Sequence, residues 1–311
     1  HKERGFWNFN GSSNLEELNE KMRSCGAYVR REKRNVLKEL PEKTRVFSTL
    51  PISNWIAYNA IKDDLYSSVR FEAKEKCAND DKFQRSIADL SEADKAQAIR
   101  EYCKKLAEKA MQAEILVRMQ KLESCASEGK TSGAIDWIEN FLDSGEKLIV
   151  GASQKKLQKA LLAHFKGRCA HIVSEDSSEE RLKQADLFQE DPTCQLIICG
   201  TGKHAGASPV IGLNLYAASN VLMLSYGWNS ALHDQIEDRA CRIGQKNAVV
   251  VHYLPAGGTF EEDKIATVEK KRTITSKATS GTATNDQTDL EVEQFMMKQL
   301  ISDIFEGEDA A

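Results

Sequence analysis

The chain has 311 residues, of which 41% are hydrophobic and 29% are charged, enough for one substantial core with a helical appendage. Its formal net charge of −4 argues against a surface that is basic throughout, so any contact with nucleic acid must be local. Eight scattered cysteines without a Cys-x-x-Cys pair, and no signal peptide or long apolar run, predict an intracellular, reducing compartment with no zinc site and no membrane partner.

Basic residues are concentrated near the N terminus. The stretch from Tyr28 to Phe47 reads YVRREKRNVLKELPEKTRVF, and Arg30 and Arg31 belong to its basic cluster. Such a cluster can contact phosphate, although a run of charges is more often the solvated face of a helix. We assign residues 1–60 to this linking segment and the residues before it.

Between about Ile61 and Gly133 the composition changes to Lys, Glu, Ala and Gln at helical spacing, which predicts a helical insertion over residues 61–133. An apolar stripe is expected to pack as core, and it consists of Ala98, Tyr102, Leu106, Met111, Leu116 and Met119. The sequence does not decide whether these helices also hold a partner or DNA. Glu128 to Thr131 contain Gly-Lys-Thr, but the first glycine of a phosphate-binding loop is absent, so we predict a polar linker.

Strands alternate with helices over residues 134–255. Apolar runs are found at Lys147 to Ala152, Cys169 to Glu175, Cys194 to Gly200 and Ala248 to Leu254. Amphipathic segments separate them, and Ser153 is the expected N-cap of the first. This alternation predicts an α/β fold with a parallel sheet covered by helices.

The segment from Gly212 to Gln245 reads GLNLYAASNVLMLSYGWNSALHDQIEDRACRIGQ. If a helix follows Trp228 and Asn229, three polar side chains share one of its faces at i, i+4 and i+7: Gln235, Arg239 and Arg242. The neighbouring apolar face is expected to pack on the sheet and consists of Leu232, Ile236, Ala240 and Ile243. Gly244 is expected to end the helix.

The two arginines of this face suit phosphate chemistry. A guanidinium presents a planar fork of donors and keeps its charge at physiological pH, so it can stabilise negative charge on a transferring phosphoryl group. The alternative is two solvated arginines that pair with Glu237 and Asp238.

Several of these segments resemble the Swi/Snf-type ATPases, the superfamily-two DNA translocases. GLNL, AAS, an apolar strand, Trp-Asn and Gln-x-x-Asp-Arg-Ala-x-Arg-Ile-Gly-Gln match the family's last motifs, without a gap from Trp228 to Gln245. SNLEEL and the basic stretch with its Leu-Pro and Lys-x-Arg are similar to the end of the first lobe in the annealing-helicase branch. The chain departs from the pattern at Lys203 to Leu215, which is a few residues longer than the family's loop.

The resemblance implies a second, C-terminal RecA-like lobe of an ATP-dependent DNA translocase. Its cofactor would be ATP with Mg²⁺, bound mainly by a first lobe, and its other partner would be duplex or forked DNA. The resemblance assigns phosphate contacts to Arg239 and Arg242, and ATP binding or coupling to Gln235, Gly212, Asn214 and Gln245. Candidate DNA contacts are Lys203, His204, Trp228, Arg30 and Arg31. Trp228 can instead seal the edge of the sheet.

The resemblance also extends to the last segment, residues 256–311. Gly257 to Arg272 resembles the family's bracing helix. Ser276 to Thr288 reads as a polar linker, and the amphipathic end either folds back on the lobe as a helix or frays.

Neither a phosphate loop nor an acidic pair after an apolar strand is found in the sequence. In motors of this kind the lysine and the magnesium site come from one lobe and the arginines from the other. We therefore expect the C-terminal part of a longer protein, without ATPase activity by itself. The alternative is a scaffold that binds nucleic acid and has lost the motor, but the intact arginine face weighs against it.

Overall fold

The computed structural model describes residues 2–3, 6–7, 17, 20–21, 24–25, 37, 39–110, 112–201, 210, 212–228, 230–280 and 289–306. Its strands are β1 (Lys2–Glu3), β2 (Phe6–Trp7), β3 (Lys43–Phe47), β4 (Leu148–Ala152), β5 (Cys169–Ile172), β6 (Leu196–Gly200), β7 (Asn220–Met223) and β8 (Val249–Tyr253). Its helices are α1 (Trp55–Ala78), α2 (Asp81–Ser86), α3 (Glu92–Ala110), α4 (Gln112–Gly129), α5 (Thr131–Leu142), α6 (Lys155–His164), α7 (Ser178–Glu190), α8 (Ser230–Ala240), α9 (Phe260–Ser280) and α10 (Asp289–Glu306).

Six of the strands form one parallel sheet in the spatial order β3-β8-β7-β4-β6-β5, and β1 and β2 pair separately as antiparallel strands. The strands β4 and β6 read LIVGA and LIICG and are buried along their whole length. A parallel sheet with both faces covered selects such continuous apolar runs. The predicted α/β fold with a covered parallel sheet is therefore confirmed.

Helices cover the two faces of the sheet with separate cores. Along β4 the side chains alternate, so Ile149 joins the core that includes Ile236 of α8, whereas Leu148 joins the core that includes Leu161 of α6. Helix α6 begins at Lys155 after Gln154, and the predicted N-cap at Ser153 is wrong by one residue.

A second packing centre lies among the helices α1, α3, α4 and α10. Its buried side chains include Leu65, Val69, Ala73, Cys103, Ala107, Ile115, Met119, Ile301, Ile304 and Phe305. The Nε of Arg70 donates to the carbonyl oxygen of Ile304 at 2.5 Å. The last helix therefore folds back on the helical segment, which answers the alternative of a frayed end for residues 289–306.

The predicted apolar stripe of this segment packs on this core, with Met119 buried in it, but on α3 the fully buried positions are shifted by one residue. Cys103 and Ala107 are buried on α3, while their neighbours Tyr102 and Leu106 are only half-buried and pack at the margin of the core. Met111 lies outside the described residues. No helix in the described part of the chain is long and apolar enough to cross a membrane.

The predicted polar linkers are also revised. Residues 128–131 form the tight junction between α4 and α5, where Lys130 is completely buried. Residues 276–280 belong to α9, and residues 281–288 lie outside the described residues. The strand β3, within the segment 1–60, pairs with β8, and α1 starts at Trp55. The sheet therefore includes residues on both sides of the boundary predicted at residue 60.

Candidate functional site

Helix α8 approaches the sheet closely at a residue that has no side chain. A Cβ atom on Gly151 of β4 would lie 3.3 Å from the Cδ1 of Ile236, so the glycine allows the helix to pack directly on the strand. Leu232, Ile236 and Ala240 are buried, as predicted. Ile243 was predicted to share their face, but its side chain is 75% exposed.

The exposure of Ile243 follows from the early end of the helix. Helix α8 ends at Ala240, whose carbonyl oxygen accepts from the backbone N–H of Arg242 at 3.0 Å and from the Nε2 of Gln245 at 3.4 Å. The N–H of Arg242 therefore does not bond the carbonyl oxygen of Asp238 four residues earlier, as a continuing α-helix would require. Gly244 lies in the turn beyond, with a φ of 106°. Arg242 is therefore in this turn and not on the helix with Gln235.

Gln245 has a structural place in this turn. Its Nε2 donates to the carbonyl oxygens of Tyr216 at 3.0 Å and Ala218 at 2.7 Å, and its Oε1 accepts from the backbone of Lys246 and Asn247. The side chain is 8% exposed. These bonds fix the turn that carries Arg242.

Arg239 is buried against the loop that begins at Gly212. Its Nη1 donates to the carbonyl oxygen of Leu213 at 3.2 Å, and its own carbonyl oxygen accepts from the backbone N–H of Leu215 at 3.0 Å. Its Nε is buried and has no hydrogen-bond partner among the residues that the structure describes. Burial and the charge of Arg242 lower the pKa of Arg239. Arg239 thus fastens the loop and retains one unused donor.

Arg242 is half-buried and reaches the same loop. Its Nη1 donates to the Oδ1 of Asn214, and its Nε donates to the backbone carbonyl oxygen of Asp238 at 3.2 Å. Asn214 is exposed, and Gly212 at the start of the loop has a φ of 84°. The structure therefore brings four of the predicted site residues together at this loop: Gly212, Asn214, Arg239 and Arg242.

Gln235 lies on α8 one turn before Arg239. Its side chain is half-buried, and its buried Oε1 has no hydrogen-bond partner within the described ranges of the chain. A buried acceptor without a donor costs free energy unless a ligand or water supplies one. Gln235 therefore has unused hydrogen-bonding capacity one helical turn before Arg239.

A different face of α8 carries carboxylates. Glu237 is fully buried, and its oxygens are reached by Lys43 at 2.7 Å, by the Nη2 and Nε of Arg45 at 2.6 and 2.9 Å, and by the hydroxyl of Tyr253 at 2.5 Å. Burial opposes ionisation of Glu237, but the charges of Lys43 and Arg45 hold its pKa below the ordinary value. The strand β3 thus supplies two of the cations that lie against this face.

The two other carboxylates of the face have cations as well. Asp234 lies 2.8 Å from Arg45 and 3.4 Å from Arg272, and Asp238 lies 3.3 Å from Lys43. We call Asp234, Glu237 and Asp238 the acidic face. In the described part of the chain, neither Arg239 nor Arg242 forms an ion pair with a carboxylate. The alternative in which these arginines pair with Glu237 and Asp238 is therefore not what the structure shows.

Trp228 lies next to the helical packing centre. Its ring meets Phe260 edge-on with centroids 5.9 Å apart, and the Nζ of Lys264 is 4.1 Å from its ring centroid. Lys264 also pairs with Glu123 of α4 at 2.9 Å. The tryptophan therefore packs between the lobe and the helical segment instead of sealing the sheet edge, and only part of its ring remains accessible.

Four of the predicted DNA-contacting residues are not among those that the structure describes. Arg30, Arg31, Lys203 and His204 lie outside the described residues, and they remain sequence predictions. In the residues that the structure does describe, no group of three or more His, Cys, Asp or Glu side chains has the arrangement of a metal site.

Sequence reasoning missed the cations Lys43 and Arg45. A signal was present, because Lys-x-Arg on a strand places both side chains on one face, and the acidic face of α8 offers matching carboxylates. The pairing itself spans 192 residues for Arg45 and Glu237, so no local pattern reveals it.

No protein-family model matches the chain. It is 29% identical over 279 residues to the DNA annealing helicase and endonuclease ZRANB3 of Mus musculus, covering 88% of this chain and 22% of that protein. It is 26% identical over 277 residues to the SWI/SNF-related matrix-associated actin-dependent regulator of chromatin subfamily A-like protein 1 of Xenopus tropicalis, covering 88% of this chain and 25% of that protein.

Among solved structures, the C-terminal part of the Fun30 ATPase domain has a similar fold, with a TM-score of 0.52 and 17% sequence identity. That similarity covers 87% of this chain and 99% of the Fun30 chain. The chain spans about a fifth of the length of the curated relatives, 22% for ZRANB3. The chain is a homologue of these two proteins, and its fold is that of the C-terminal part of the Fun30 ATPase domain.

Proposed function

We propose that the chain acts as the C-terminal motor lobe of an ATP-driven DNA translocase, in which it supplies arginines to an ATP site completed by a first lobe. The similarity to a protein named as a DNA annealing helicase supports this proposal. We call a polypeptide in which such a first lobe precedes this chain the two-lobe protein.

The observation that carries the proposal is the charge of the site. Two guanidinium groups lie beside one loop, and in the described part of the chain no carboxylate forms an ion pair with either of them. By contrast, the acidic face of α8 forms ion pairs with three cations, Lys43, Arg45 and Arg272. A polyanion such as the triphosphate of ATP is the partner that such a site favours.

The two arginines have different roles in the proposed reaction. Arg242 is half-buried and bonds an exposed amide, so it can turn to a phosphate oxygen and stabilise charge in the transition state. Arg239 is 7% exposed and holds the backbone of Leu213, so it positions the loop and offers its unused Nε. Gln235 has an unpaired acceptor that can orient a water or a ribose hydroxyl.

The residues of this chain fit the phosphate end of a nucleotide. Mg²⁺ would neutralise charge on the phosphates when bound, and its ligands would come from the first lobe. Closure of the two lobes around ATP would bring Arg242 to the phosphates, and opening after hydrolysis would shift the grip on DNA. The loop from Gly212, held by both arginines, is the element of this chain through which ATP and DNA would be coupled.

The proposed DNA contacts of this lobe remain local. Lys203 and His204 in the long loop, Arg30 and Arg31 in the basic segment, and Trp228 are the candidates. For Trp228 the position of Lys264 over its ring restricts base stacking to the remaining accessible face.

The experiment that tests the proposal compares ATP hydrolysis by the two-lobe protein and by this chain alone, each with single-stranded, duplex and forked DNA. We expect DNA-stimulated turnover by the two-lobe protein and none by the chain alone, with the highest rate on forks for an annealing-helicase type. DNA binding without turnover in the two-lobe protein would refute the motor and support the scaffold.

A further inference from the structure

Lys264 of α9 connects two parts of the protein that are distant in the sequence. Its Nζ lies 2.9 Å from the Oε1 of Glu123 on α4 and 4.1 Å from the ring centroid of Trp228, which stands two residues before α8. The lysine is buried. One ammonium group therefore contacts both the helical segment and the residue that leads into α8.

The ammonium group is held in place over the indole ring. Glu123 is buried as well, so water screens its attraction for Lys264 only a little. A cation over the face of a tryptophan ring is attracted by the quadrupole of that ring. Phe260, one turn earlier on α9, meets the same ring edge-on with centroids 5.9 Å apart. Two contacts from α9 thus fix the ring of Trp228, and the residue stays only half-buried.

We propose that Lys264 is a positioning residue for Trp228: anchored by Glu123, it holds the indole ring so that its accessible face can stack on a base of bound DNA. This inference rests on the proposed contact of Trp228 with DNA. A side chain that is ordered before binding loses less conformational entropy on binding, which raises the affinity. The proposal gives the helical segment a part in DNA binding, because Glu123 belongs to α4.

The variant that tests this role replaces the ion pair by neutral residues of similar size. In Lys264→Met with Glu123→Gln, no charge of the pair is left buried without its partner, so the fold should survive the change. The variant removes one positive and one negative charge and keeps the net charge of the parent. A change in DNA binding would therefore not come from the overall charge. We call it the neutral-pair variant.

A second buried ion pair between α9 and the helical segment gives the matched control. Lys130 and Glu261 are both buried and pair with each other. The aromatic ring near the Nζ of Lys130 is that of Tyr226, at 5.2 Å from its centroid. Lys130→Met with Glu261→Gln thus neutralises an equally buried pair and leaves the cation over Trp228 in place. Loss of stability alone would affect both variants.

The test measures the affinity of the two-lobe protein for fluorescein-labelled forked DNA by fluorescence anisotropy. The neutral-pair variant should bind roughly two- to tenfold more weakly, the gain expected from ordering one side chain in advance. Lys264→Arg keeps a cation over the ring and should remain within about twofold of the parent, as should the control pair. In a Trp228→Ala background the neutral pair should have no further effect, because the ring that it positions is gone.

The salt dependence of binding tells positioning from direct contact. The slope of log affinity against log salt should be unchanged in the neutral-pair variant, because Lys264 acts through the ring and not on a phosphate. A slope reduced by about one would make Lys264 a phosphate contact and overturn the positioning role.

The motion of the ring is measured on this chain alone. With the other tryptophans replaced by phenylalanine, Trp228 is the only emitter, and its time-resolved fluorescence anisotropy reports the local motion of the ring. The neutral pair should increase the amplitude of this motion, whereas the control pair should not. Equal motion in the parent and the neutral-pair variant would overturn the proposal. The replacements are Trp7→Phe, Trp55→Phe and Trp137→Phe.

The outcomes separate this inference from the proposed function. If Trp228→Ala binds forked DNA as tightly as the parent, the proposed DNA contact of Trp228 fails. If Trp228→Ala weakens binding but the neutral pair does not, the contact stands and the positioning role of Lys264 is overturned. A loss that is equalled by the control pair, or that persists in the Trp228→Ala background, would overturn it as well.

Discussion

Lys130 and Glu261 form an ion pair inside the protein, with side-chain exposures of 0% and 1%. Glu261 also accepts from the hydroxyl of Ser127 at 2.8 Å and from the backbone N–H of Ala256 at 3.0 Å. The Nζ of Lys130 donates in addition to the carbonyl oxygen of Leu254 at 3.2 Å. The pair therefore joins the junction of α4 and α5 to the end of β8 and the start of α9.

Replacing Lys130 by methionine should destabilise the fold strongly. The carboxylate of Glu261 would remain buried without its cation, and breaking one side of a buried pair costs roughly 3–5 kcal/mol. Urea denaturation at pH 7 measures the free energy of unfolding. The control is Lys156→Met, which removes an exposed pair with Glu128 and should cost about 1 kcal/mol or less. Equal effects in the two variants would contradict the importance of burial.

The burial of Lys130 in this ion pair could not be predicted from the local sequence. The residues around Lys130 form a polar run, and the pattern predicts an exposed linker there. The partner Glu261 is 131 residues away, so burial depends on a contact that no local pattern contains. The pairing of Arg45 with Glu237 is hidden for the same reason.

The order of strands and helices could be predicted because each element has a recognisable pattern of apolar residues within its own segment. The runs that became β4 and β6 are apolar throughout, and that pattern depends only on burial of both faces. The end of α8 could not be predicted, because the side chain of Gln245 takes part in ending it. Helical spacing therefore identified both arginines as candidates, but it wrongly placed Arg242 on the helix, which ends two residues earlier at Ala240.

The two-lobe protein should lose nearly all ATPase activity when Arg242 is replaced by alanine. An arginine that stabilises a transferring phosphoryl group contributes about 10³- to 10⁵-fold to kcat. The half-buried side chain makes two hydrogen bonds, so its removal should change the free energy of unfolding by only about 1 kcal/mol. Single-turnover kinetics with thermal unfolding tests both points. Normal turnover in this variant would remove Arg242 from the reaction.

Arg239→Ala should behave differently because this side chain is buried. Its loss leaves the carbonyl oxygen of Leu213 without a donor and opens a cavity, which should cost roughly 2–4 kcal/mol in unfolding free energy. ATPase activity should fall as well, since the loop from Gly212 loses its anchor. Hydrogen exchange at Leu215, whose N–H donates to the backbone of Arg239, reports the loop directly. Unchanged exchange would argue against the anchoring role.

The protein should become less stable as the pH falls below about 6.5, partly because of His233. This side chain is 1% exposed, and its Nε2 accepts from the backbone N–H of Gly227 at 3.0 Å, which requires a neutral ring. Burial, and then the charge of Arg272, lower the pKa of His233 to about 3. The unfolded chain therefore binds a proton between pH 6.5 and about 3 that the folded chain excludes.

Within that window the free energy of unfolding should decrease by on the order of 1 kcal/mol for each pH unit from His233 alone. His233→Gln cannot be protonated, so its stability should vary less with pH, even if it is lower at pH 7. Urea denaturation at pH 7, 6, 5 and 4 gives the two slopes, and their difference cancels the titration of the carboxylates. Parallel curves for His233→Gln and the parent would show that the buried ring does not set the acid sensitivity.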